Sequence, residues 1–139
     1  MRVGEFDIVD MLSNTLGHIN VDLFRNMLKR LNKNVHRNSY FLVDYRDVVK
    51  LLFEKKWLDK MIIKRENKPT LLSITIGCDT VTGEILKQTL AGNRPLLNFT
   101  HAIWSPFILE AIMKDNGWLL IKRKYTKRWE GFFDVYKKL

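Results

Sequence analysis

Cysteine is almost missing from this chain of 139 residues: Cys78 is the only one. An internal disulfide and a cysteine-rich zinc site are both excluded. Histidine is nearly as scarce. His18, His36 and His101 lie far apart without the spacing of a metal-ligand pair, so each reads as a surface or cap residue. The seven glycines are scattered. They form no G-x-x-x-x-G-K-[ST] and no G-x-G-x-x-G, so no phosphate-cradling loop of those kinds is present. H-E-x-x-H and G-x-S-x-G are absent as well. No apolar run approaches the ~18 residues of a membrane span. No signal peptide is visible. A transit peptide would be Arg-rich and poor in acids, whereas here Arg2 stands against Glu5, Asp7, Asp10 and Asp22.

Positive charge is plentiful. The formal net charge is +9, with residues 1–22 at −3 and the remainder at +12. That balance favours a polyanionic partner, nucleic acid first and an acidic membrane surface second. At 46% hydrophobic residues the chain can bury a core. Its length is that of one domain or two small lobes.

Phe6, Val9, Leu12 and Leu16 are spaced for a short helix over residues 5–16, ended by Gly17. Asp22 is placed to cap a second helix with Leu23, Phe24, Met27, Leu28 and Leu31 on one face. Its other face carries Arg25, Lys29, Arg30 and Lys33, and the exit loop adds Arg37. Tyr40–Val43 reads as a short buried strand. Asp44 then caps a helix running to Phe53. Lys60–Arg65, Leu72–Ile76 and Glu84–Leu90 read as strands, separated by turns at Glu66–Pro69 and Gly77–Gly83. Ala91-Gly92-Asn93 is the best internal boundary. Leu96–Thr100 is a strand, and Ser105 with Pro106 opens a helix that Gly117 stops. The pattern implies an α+β protein of two small lobes. Residues 22–90 form a helix-strand-helix unit with an antiparallel sheet, residues 91–139 a strand, a helix and a closing hairpin, and residues 1–21 an extension.

The hairpin joins Trp118–Ile121 to Phe132–Tyr136 around Lys122, Arg123, Lys124, Tyr125, Thr126, Lys127, Arg128 and Trp129. Cations beside rings suit phosphate contact and base stacking. Asp79 with Glu84 is explained as turn chemistry. Asp7 with Asp10, and Asp44 with Asp47, sit at expected helix starts, where acids favour the dipole. Nothing here argues for an enzyme, a cofactor, a metal or a small-molecule substrate.

Two families are similar in pattern. Leu51–Leu58 followed by a hairpin looks like the recognition helix and wing of a winged-helix DNA-binding domain, though the unit is one helix short. The order of motifs more closely resembles the eighth small-subunit ribosomal protein family. Asp22–Lys33 resembles that family's opening D-P-I-A-D-M-L-T-R-I-R-N, and Leu51–Leu58 its V-L-K-E-E-G-F-I. Lys68-Pro69 with Leu71–Ile76 resembles K-P-x-L-x-I-x-L, and Arg94–Leu97 resembles K-P-G-L-R. Ile108–Leu120 resembles L-P-K-V-L-N-G-L-G-I-A-I-L. The match spans about residues 22–136. Where the family carries S-T-S-K-G, this chain has Lys122–Thr126. The segment before the family's G-G-E is contracted until only Glu130 and Gly131 match it.

This resemblance implies a structural constituent of the small ribosomal subunit that binds the central domain of its rRNA beside neighbouring ribosomal proteins. Its contacts would come from Arg25, Lys29, Arg30, Lys33 and Arg37, and from Lys122–Arg128. The acidic extension would pack on protein. Three alanines amid many Lys, Asn, Ile and Phe suggest AT-rich codons. A mitochondrial ribosome is then the expected location, with the cytoplasm of an AT-rich bacterium as the alternative.

Overall fold

The computed structural model describes residues 6–127 and 130–139. The described chain begins with a strand, β1 (Phe6–Met11), rather than the expected helix. Val9 and Met11 lie two apart and pack together against the core. The helical spacing of Phe6, Val9 and Leu12 is overridden by pairing: β1 runs parallel to β2 (Val35–Arg46), with Ile8 opposite Tyr40 and Met11 opposite Val43. After β1, Ser13 and Asn14 take left-handed φ values of 63° and 56°. A 3₁₀ turn, Thr15–His18, follows.

Helix α1 (Val21–Leu31) buries Phe24 and Leu28. Its cap is Asn20, whose Oδ1 accepts from the Leu23 N–H at 2.9 Å. Asp22 sits in the first turn, where its charge still suits the dipole. Strand β2 is far longer than the apolar run Tyr40–Val43. Its inward face is Ser39, Phe41, Val43 and Tyr45, all buried. Residues 35–38, expected in a loop, are strand because parallel pairing needs backbone groups rather than apolar side chains. Helix α2 (Val48–Phe53) is capped by Asp47, which accepts from the Lys50 N–H at 3.0 Å. Asp44 is thereby left for another task.

Four antiparallel strands follow: β3 (Lys60–Arg65), β4 (Lys68–Asp79), β5 (Glu84–Ala91) and β6 (Arg94–Ala102). Ser105 caps α3 (Pro106–Asp115), and Gly117, at φ 78°, turns the chain into β7 (Trp118–Thr126). Strand β8 is Gly131–Lys138.

Two sheets result, in the orders β1-β2-β8-β7 and β3-β4-β5-β6. The class is α+β. In the first sheet β8 is antiparallel to both its neighbours, so β7 runs with β1 and β2. Strands from the two ends of the described chain therefore share one sheet. Ala91-Gly92-Asn93 is a hairpin turn, with Ala91 opposite Arg94 and Gly92 at φ 56°.

The core is aromatic. Phe24 stands edge-on to Phe41 and Trp104, and Phe41 edge-on to Trp118. Each indole N–H finds a partner: Trp104 donates to the Ile19 carbonyl at 2.9 Å, Trp118 to Asn32 Oδ1 at 3.0 Å.

One buried charge ties β2, β7 and β8 together. The fully buried Asp134 carboxylate accepts from Tyr45 Oη at 2.9 Å and Tyr136 Oη at 3.1 Å. It also takes both Arg123 donors, Nε at 2.9 Å and Nη2 at 2.8 Å. Burial and the neighbouring carboxylate hold both phenols above their ordinary pKa. Hydrogen bonding to Asp134 raises that of Arg123. Asp134→Ala should destabilise the fold by about 3–5 kcal/mol, because it strips a partly buried guanidinium of its buried carboxylate and leaves it only the exposed Glu110. Tyr45→Phe should cost about 1 kcal/mol. Urea denaturation of both variants measures the difference.

Candidate active site

The carboxyl ends of β1 and β2 meet at a polar turn. Asp44 accepts from the backbone N–H of Ser13 at 3.1 Å and of Asn14 at 2.7 Å. Asn14 Oδ1 in turn accepts from the Arg46 N–H at 3.2 Å. These three bonds hold two successive left-handed residues, a conformation that is costly outside glycine and concentrates at functional sites. A cavity of about 430 Å³ opens here, lined by Ser13, Asn14, Asp44, Tyr45 and Arg46. In open sheets with parallel strands, ligands bind outside the carboxyl ends.

A second cleft, about 350 Å³, adjoins it and shares Asn14 and Arg46. It lies between the strand ends of the first sheet and the inner face of the second. Trp57, Lys87, Phe99 and His101 are among its walls. Lys87 faces Thr75 on one neighbouring strand and Phe99 on the other. Trp57 covers this row, donating to Thr75 Oγ1 at 3.4 Å.

His101 is buried, with its ring edge toward His18 and tilted against Trp57. Its Nε2 is buried without a hydrogen-bond partner among the described residues. Burial, helped by His18, pushes its pKa down to about 4, so the ring is neutral at neutral pH. Gly17 makes room for it: a Cβ there would lie 2.6 Å from His101 Cε1 and 2.9 Å from Nε2.

At the rim, Glu130 pairs with Lys50 and Lys56, each at 3.4 Å, and accepts from Tyr125 Oη. The Tyr125 bond, with the lysines behind it, lowers the Glu130 pKa. Among the described residues, no group of three or more His, Cys, Asp or Glu is placed to hold a metal.

The side chains singled out from the sequence lie elsewhere. Arg25, Lys29 and Arg30 are exposed on the outer side of α1, Lys33 is exposed in the turn after it, and Arg37 is exposed on β2. Lys122 and Lys124 are exposed on β7, with Lys127 just beyond. Arg123 points inward to Asp134 and Glu110, the latter at 3.1 Å. Tyr125 accepts from Lys50 at 3.2 Å, and Thr126 Oγ1 donates to the Gly131 carbonyl at 3.1 Å. Arg128 and Trp129 are outside the described residues. No described hydrogen bond or ion pair joins the α1 set to the β7 set. Ser13, Asn14, Asp44, Trp57, Lys87 and His101 were not singled out as a site. The available signal was positional: Ser13-Asn14 and Asp44 are the polar residues that end two apolar runs.

No protein-family model and no curated protein sequence matches the chain. Solved structures do. The CcbJ methyltransferase from Streptomyces caelestis is similar at TM-score 0.71 and 12% identity, covering 98% of this chain and 62% of that one. An S-adenosylmethionine-dependent methyltransferase from Clostridium acetobutylicum gives 0.72 and 11%, covering 98% and 59%. A SAM-bound amino pentose methyltransferase from Micromonospora echinaspora gives 0.62 and 11%, covering 99% and 60%. The chain thus spans about three fifths of their length. It shares their fold.

That likeness overturns the ribosomal reading, and with it the small-subunit rRNA, the ribosomal-protein neighbours and the role in translation. The five motif matches were amphipathic helix and strand patterns, which recur in unrelated folds. Residues 6–11, left outside that match, are a strand of the first sheet. The winged-helix alternative falls as well: Leu51–Leu58 is the end of the six-residue α2 and the loop that lines the cleft. The expectations of no enzyme and no small-molecule substrate are corrected too, since the solved structures named above are methyltransferases, one of them with SAM bound.

Two outcomes test this geometry. Gly17→Ala should destabilise by about 1–3 kcal/mol through overpacking. His101→Ala in the same chain should recover part of that loss, read as coupling in a double-mutant cycle. Because His101 stays neutral in the folded chain until about pH 4, the unfolded state binds the extra proton first. Stability should therefore fall as pH drops from about 6.5 to 4, and His101→Gln should flatten that slope in pH-dependent melts.

Proposed function

We propose that the chain serves S-adenosylmethionine-dependent methyl transfer to a small-molecule acceptor. One observation carries the reading: two parallel strands end together at a polar, left-handed turn clamped by Asp44. The likeness in fold to methyltransferases supports it. In this reading the two sheets act as two lobes, with the cleft between them receiving the acceptor.

The donor set fits part of SAM. Each Asp44 oxygen accepts one backbone N–H, and a carboxylate has about four acceptor sites, so capacity for a cationic amine or a hydroxyl remains. Asn14 keeps its side-chain NH₂ as a donor beside it, since only its Oδ1 is engaged with the Arg46 N–H. Ser13, Asn14 and Asp44 are the residues that would hold SAM. The chain contains no G-x-G-x-x-G loop; the contact proposed for SAM is the turn at Ser13, Asn14 and Asp44. Bound SAM supplies an electrophilic methyl group on a sulfonium. The chain's own part is to orient the acceptor and exclude water. Neutral His101 and the ring of Trp57 suit the second task, because neither brings a tightly hydrated charge.

Isothermal titration of the chain with SAM and with S-adenosylhomocysteine tests this. Both should bind, and Asp44→Asn should weaken SAM about tenfold or more by removing a charge-assisted contact. Binding of neither at millimolar concentration sinks the reading.

A further inference from the structure

Lys87 is a charged side chain in an unusual place. Its residue is buried on the inner face of β5, only 7% exposed. Among the described residues its one hydrogen-bond partner is the Leu58 carbonyl, at 3.1 Å. Its ammonium stands 5.0 Å from the centre of the Trp57 ring. No described carboxylate lies within ion-pairing distance. Asp59 is the acid whose field favours its charge, and Arg46 opposes it. Burial pulls its pKa below that of an ordinary lysine. An ammonium has three donors, and a buried cation without an anion is costly unless something else rewards it.

Arg46 also lines the cleft, while the Lys56 ammonium at its rim is paired with Glu54 at 2.7 Å and with Glu130 at 3.4 Å. Glu130 is the acidic residue among the described lining, and it is already engaged by Lys50, Lys56 and Tyr125. His101 contributes no negative charge. The Trp57 ring over the Lys87 ammonium and Phe99 of β6 beside Lys87 supply flat apolar surface to the cleft.

We infer that this cleft binds an anionic group carried on an apolar or aromatic body, with Lys87 as the charge that receives it. Resting on the methyl-transfer reading, this makes the acceptor an organic acid or phosphate rather than a cationic amine. Lys87 donates to the anion, and Trp57 and Phe99 pack against the apolar body. An ammonium in the same place would meet like charge from Lys87.

The test needs no SAM. The full chain is titrated with benzoate, phenyl phosphate, benzylamine and benzyl alcohol while the Trp57 indole N–H resonance is followed. That signal is assigned by its loss in Trp57→Phe. Benzoate or phenyl phosphate should shift it saturably, and whichever of the two binds tighter identifies the anion class. Benzylamine should not shift it. Lys87→Met should weaken the anion about tenfold or more, and Lys87→Arg should retain it. Benzylamine binding as well as benzoate overturns the inference without any variant, as does unchanged anion affinity in folded Lys87→Met. Anion binding with no SAM binding would support the cleft while removing the methyl-transfer reading. SAM binding without anion binding would do the reverse.

Discussion

The Asp44 carboxylate organises this protein. It sits near the end of β2 and accepts two backbone N–H groups from the turn that follows β1. Parallel strands cannot be joined by a tight turn, so something else must align their ends. Here a side chain does it across thirty residues of sequence. The bonds also hold Ser13 and Asn14 in left-handed conformations, which points the 3₁₀ turn and Gly17 toward His101. From that point the second sheet is positioned against the first, and the cleft follows.

The two buried ionic features play different parts. Asp134 is fully satisfied by Arg123, Tyr45 and Tyr136, and it locks three strands of one sheet. Every polar group there has its partner, as a structural network should. Lys87 has one carbonyl and a ring face. The contrast between a closed network and an open one separates scaffold from site without reference to any relative.

The excess positive charge pointed toward nucleic acid because charge speaks to partners and solubility rather than to fold. In three dimensions the basic residues have several destinations. Arg123 is consumed inside, Lys50 and Lys56 surround Glu130, and the α1 set is spread over an exposed helix face. A count of cations along the sequence treats these as one population. Short family-like motifs misled for a related reason: an amphipathic helix followed by strands is what most α+β chains contain.

Local elements were legible where local chemistry decides them. Lys60–Arg65, the Ser105-Pro106 helix start, the Gly117 stop and the closing hairpin depend on neighbours in sequence and on turn residues. The α+β class and the lack of a disulfide follow from the same information. β1 was not legible, because Phe6, Val9 and Leu12 fit a helical period equally well and its partner lies thirty residues away. The task of Asp44 was hidden for the same reason: a cap and a clamp look alike until the other strand is present. The site required the fold outright, since Asn14, Trp57, Lys87 and His101 come from four separate segments and meet only when the two sheets face each other.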